Sequence, residues 1–233
     1  MRSSRSKWRV AILFAVSLAV WFYDRHQKQG ADGGGPAPKA IPVQEGSGAS
    51  TGSSSQKEPS KAGRYEKYEG CLLVNHRQND GDSFRVQLPG GRTEEFRLYF
   101  VDCPESEFRT YGGGATNRER IDEQAKYFNI TAEQAVGIGD KAKHYTLDLL
   151  GRQPFTVYTF WEDHFHDHRM SAIIQSGNGE WLHRNLVREG YSRIFTKPSE
   201  MPDGTPAKEE VGMLRQMEEQ AKAARKGAWG LSR

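Results

Sequence analysis

The sequence predicts an α+β protein with a mostly β core: a five-stranded barrel with about three helices. Three observations predict it. Short runs in which apolar and polar residues alternate recur between tight-turn signals, the pattern of half-buried strands. A helical pattern separates the third run from the fourth. Further helical patterns close the chain.

The 233 residues are 36% hydrophobic with a mean hydropathy of −0.78, too polar for a chain packed throughout. The unpacked part is found at the N-terminus. Arg2, Arg5, Lys7 and Arg9 precede an uncharged run, residues 10–23 (VAILFAVSLAVWFY). A basic start before an apolar run is an export or anchor signal. Residues 1–28 are therefore expected to form a signal anchor, with the N-terminus in the cytoplasm and the rest beyond the membrane. The alternative is a signal peptide cut near Ser17-Leu18-Ala19, which gives a secreted form. Residues 29–63 are rich in Gly, Ser, Pro and Ala without apolar period, the composition of a flexible linker. The folded domain is expected over residues 64–233.

Within it, Cys71-Leu72-Leu73-Val74 reads as the first strand. Asn79-Asp80-Gly81 turns the chain into a second, residues 83–88, and Pro89-Gly90-Gly91 into a third, residues 94–101. Phe96, Leu98 and Phe100 alternate with Arg97 and Tyr99, and Pro104 ends the strand near Asp102. Residues 106–121, with three consecutive glycines, read as a mobile loop. A helix is expected over residues 131–150, capped by Thr131, with Ala135, Ile138, Ala142, Tyr145 and Leu149 on one stripe. Residues 155–161 and 170–175 read as strands, residues 181–189 and 208–226 as helices, and Trp229 as packing back onto the domain. This order fits a Greek-key OB barrel, a fold that commonly holds nucleic acid.

Charge alone selects no partner, since a net +3 reflects nearly balanced acids and bases. Cys71 and Cys103 make no disulfide framework, and free thiols are expected. Chemistry is concentrated where the third strand ends. Asp102 and Glu105 stand beside Arg97, and Asp82 occupies the turn before. Carboxylates beside arginines can hold a hard cation and grip a phosphate.

Taken together, Asp80-Gly81-Asp82, Arg97 through Asp102-Cys103-Pro104-Glu105, Arg169, Leu186 through Gly190 and the tail to Trp229 resemble the staphylococcal-nuclease (thermonuclease) family. The resemblance implies calcium held by Asp82, Asp102 and the Cys103 carbonyl. It implies Glu105 beside the attacking water and Arg97 and Arg169 on the scissile phosphate. The implied activity is calcium-dependent hydrolysis of DNA and RNA; a monomer is expected, placed outside the cytoplasm by the N-terminal segment. Two departures stand out: Cys103 replaces the usual threonine, and His166-Asp167-His168 replaces a Lys-Tyr-Gly run. Two other classes remain open. One is a nucleic-acid-binding OB module without catalysis. The other is a metal-binding envelope protein, because His164, His166 and His168 would share one side of an extended strand.

Overall fold

The computed structural model describes residues 59–233. The first strand, β1 (Ser60–Ala62), turns directly into β2 (Tyr65–Leu73), so the fold begins a few residues earlier than the expected Arg64. The apolar run 10–23 and the rest of the expected linker lie outside the described residues. Among the described residues no helix is long and apolar enough to cross a membrane.

β3 (Ser83–Gln87) and β4 (Thr93–Leu98) pair antiparallel, with Phe84 opposite Phe96. Their alternation buries Phe84, Val86, Phe96 and Leu98. The expected single strand through Val101 is broken. Phe100 has a left-handed backbone (φ 71°), so β4 stops at Leu98 and β5 (Val101–Asp102) runs separately. α1 (Arg118–Phe128) occupies part of the segment expected to be a mobile loop. Ile121, Ala125 and Phe128 bury one face of it, which holds it in place. α2 (Ala132–Gly151) starts at the expected cap: Gln134 N donates to Thr131 Oγ1 and Thr131 N to Gln134 Oε1.

β6 (Phe155–Thr159) and β7 (Met170–Gln175) follow, then α3 (Leu182–Arg188), β8 (Arg193–Ile194) and α4 (Ala207–Ala223). A 3-10 turn (Gly227–Gly230) carries Trp229 onto Phe128, ring centroids 4.8 Å apart. The main sheet has the order β1-β2-β3-β4-β7-β6, and β2 pairs again with β6. Strands β2, β3, β4, β7 and β6 thus close a five-stranded barrel with four helices. Gly70, at φ 81°, marks the register shift that lets β2 bend from one neighbour to the other. Among the described strands only β4 and β7 run parallel. A second pair, β5 with β8, sets Asp102 opposite Arg193.

Candidate active site

α2 is the surface on which both acidic loops rest. A Cβ on Gly139 would lie 2.3 Å from the Glu105 carbonyl oxygen, so only glycine lets the helix pass that loop. A Cβ on Gly81 would lie 2.8 Å from Ala142 and 2.9 Å from Cys103 Sγ. Thr146, one turn further along α2, donates its hydroxyl to the Gly81 carbonyl at 2.8 Å. The Asp80–Asp82 turn and the Asp102–Glu105 loop are thereby pressed against one helix.

The contact brings every expected site residue into one cluster. Asp82 accepts from Ser83 Oγ at 3.0 Å and from the Cys103 amide at 2.9 Å. Arg97 sits opposite Ser83 in the sheet and donates through Nη2 to Asp102 Oδ1 at 2.7 Å; the same nitrogen is 3.7 Å from Asp82. Its buried Nε has no protein partner among the described residues. Arg169, at the start of β7, donates to Ser83 Oγ at 2.9 Å and is paired with Asp167 through Nε, at 3.1 Å, and Nη2. Glu105 lies under Arg120: Arg120 Nε is 2.8 Å from Glu105 Oε1, an ionic contact without hydrogen-bond alignment. Asn117 Nδ2 approaches the other Glu105 oxygen at 3.4 Å.

Asp102 is the hub. Its Oδ1 accepts from Arg97 and Arg120, both at 2.7 Å, and its Oδ2 from Arg193 at 2.8 Å and Gln124 at 3.0 Å. Burial by itself raises this carboxyl, but the charges of Arg120, Arg97 and Arg193 outweigh burial and hold it below the usual carboxylate range. Asp80 goes the other way. Burial first, then Asp82 and Glu105, push it from 3.8 up to about 7. Burial and the neighbouring aspartates raise the Cys103 thiol well above 9.0, so it stays protonated. Cys71 and Cys103 are both free and buried.

Arg120, Gln124 and Arg193 were not among the residues expected from sequence. Arg120 and Gln124 are four apart on α1, one helical face, a signal hidden because their segment reads as loop. Arg193 reaches the site through a two-residue strand, too short for any alternation to show.

The calcium implied by the resemblance does not fit these residues as they stand. A carboxylate offers about four lone-pair sites, and protein donors occupy all of Asp102's. The Cys103 carbonyl accepts from Gln124 at 2.9 Å. Among the described residues no group of three or more His, Cys, Asp or Glu side chains forms a metal site. That also corrects the histidine expectation. His164 lies against Ser171, Glu162 and Lys197, while His166 and His168 take left-handed backbones in a loop, so the three share no strand face.

The cluster opens into a cavity of about 380 Å³ lined by Arg97, Asp102, Asn117, Arg120 and Arg193. Two exposed phenylalanines edge it. Phe165 lies 4.6 Å from the Arg97 guanidinium and Phe195 3.8 Å from that of Arg193. The profile of a protein family described as staphylococcal nuclease homologue matches residues 95–230. No curated protein matches the chain.

Proposed function

Since this chain belongs to the staphylococcal nuclease family, we propose that the cluster around Asp102 and Glu105 hydrolyses phosphodiester bonds in DNA and RNA. The observation that carries this reading is convergence: Arg97 and Arg169, from different strands, both reach the Asp82–Ser83 turn, with Glu105 on the adjoining loop. A phosphodiester is anionic, and attack on phosphorus builds further charge on its oxygens. Arg97, fixed by Asp102, keeps an Nε without a protein partner among the described residues, the donor this reading assigns to one of those oxygens. Arg169 supplies a second guanidinium when phosphate replaces Asp167 on it. Glu105 takes the proton of the attacking water as the new P–O bond forms; the P–O bond to the leaving sugar oxygen breaks, and that oxygen takes a proton from solvent. The exposed faces of Phe165 and Phe195 suit base stacking, which is tolerant of sequence. No step in this reading passes through a metal.

The basic residues ahead of the apolar run 10–23 further lead us to place the domain on the extracytoplasmic side, tethered by that segment. A second reading, nucleic-acid binding without turnover, draws on Arg169 being closed on Asp167.

The test is incubation of the full chain with plasmid, single-stranded DNA and RNA, with calcium or with chelator. Shortened products that vanish in Arg97→Ala and Arg169→Ala support hydrolysis. Intact nucleic acid under both conditions overturns it, and retention of that nucleic acid in a gel shift then selects the second reading.

A further inference from the structure

We infer that Arg120 takes the place of a divalent cation in this site, and that the folded protein excludes calcium from it. One guanidinium does what a bridging ion would do. Its Nη2 holds Asp102 Oδ1 at 2.7 Å while its Nε lies 2.8 Å from Glu105 Oε1, tying the two carboxylates together across the loop. The side chain is 39% exposed and lines the cavity, so this bridge stands where an entering ion would arrive.

α1 builds the rest of the substitute. Gln124, one turn after Arg120, donates to both Asp102 Oδ2 and the Cys103 carbonyl and accepts from the Glu105 amide at 3.0 Å. Both oxygens of Asp102 and the Cys103 carbonyl are thus each met by a donor from a single helix face. Asn117, just before the helix, donates to the Glu107 carbonyl at 2.9 Å and accepts from the Arg109 amide at 2.8 Å, fixing the loop that carries Glu105. The adjoining face of α1 is anchored by Ile121, Ala125 and Phe128, so Arg120 is not a loose surface side chain that settles here by chance.

Charge decides against coexistence. Three guanidiniums, from Arg97, Arg120 and Arg193, already donate to Asp102. A calcium ion needs six to eight oxygen ligands at about 2.3–2.6 Å. It would have to displace Arg120 and Gln124 to find them, and would then lie against the remaining arginines. With Arg120 present, the positive charge beside Glu105 belongs to the protein itself. Arg120 is then a positioning residue: it holds one Glu105 oxygen and leaves the other to Asn117, which lines the cavity. This role rests on the reading of Glu105 as the group beside the attacking water. The exclusion of calcium does not, and it is tested without any cleavage assay.

Metal-free full-length protein is titrated with calcium in a calorimeter, and its melting temperature is followed with and without the ion. The wild type is expected to show no saturable binding and no shift. Arg120→Ala is expected to gain a calcium site with a Kd of about 10⁻⁴ to 10⁻³ M and a melting temperature that rises with calcium. Arg120→Gln, which keeps most of the side chain, serves if the alanine variant does not fold and is expected to gain the same response. Arg120→Lys restores the charge and with it the exclusion. Saturable calcium binding by the wild type overturns the inference, as does a folded Arg120→Ala or Arg120→Gln protein that remains blind to calcium.

Discussion

Glu105 is held at both oxygens yet remains partly open, the state a general base requires. Glu105→Gln keeps its shape and removes its basicity, so single-turnover cleavage should fall by roughly 10²–10⁴ while nucleic-acid binding stays near wild type. A rate within tenfold of wild type would sink the assignment. Asp80 carries a pH prediction. Its folded pKa, about 7, lies above the ordinary 3.8. The stability contributed by its protonated form is therefore fully present below about 3.8 and is lost as pH rises through about 7. Asp80→Asn retains an acceptor for the Gly81 amide and never ionises. It should be more stable than wild type by up to about 4 kcal/mol at pH 8, the gap closing toward pH 4, as melting curves across that range would show. Asp82, Arg97, Asp102, Glu105 and Arg169 were legible in the sequence because they sit in short motifs whose order and spacing carry the meaning. Arg120 and Arg193 were not. Their roles depend on which elements fold onto Asp102, and neither residue has a local pattern that says so.

At the scale of the element, α2 decides whether the acidic loops can meet. Two of its glycines make a controlled comparison. Gly139 touches the Pro104 and Glu105 carbonyls, whereas Gly137 has open space around it. Gly137→Ala should stabilise the helix by roughly 0.5–1 kcal/mol and leave cleavage unchanged. Gly139→Ala forces backbone against backbone and should cost about 1–3 kcal/mol or more, with cleavage reduced further than unfolding explains because Glu105 is displaced. Thermal melts and initial rates on both variants test this; equal behaviour would mean the close approach has no catalytic consequence. The helix itself was readable from its capping box and apolar stripe. α1 was hidden by its composition. Apart from Ile121, Ala125 and Phe128, its face toward the site is polar, and the glycines ahead of it read as a loop.

For the whole molecule, the order of the elements was enough to place the barrel, because adjacent strands follow tight turns and one helix must cross between the third and fourth. The small β5–β8 pair was not readable, since two residues hold no period. The arrangement of the whole chain in the cell is checked by fractionation. Intact protein that stays with membranes in carbonate and leaves with detergent is the expected result; a free form starting after residue 19 would mean a cleaved signal instead. The hub at Asp102 is also assembled from parts that leave the ribosome at very different times. Arg97 and Arg120 emerge early, but Arg193 follows Asp102 by 91 positions. α1 is pinned still later, where Ser232 donates to the Phe128 carbonyl and Asn129 to that of Arg233, each 104 positions apart. A growing chain thus carries both acidic motifs long before it can hold them in register. The proposed site is therefore incomplete on any chain that has not yet reached Arg193.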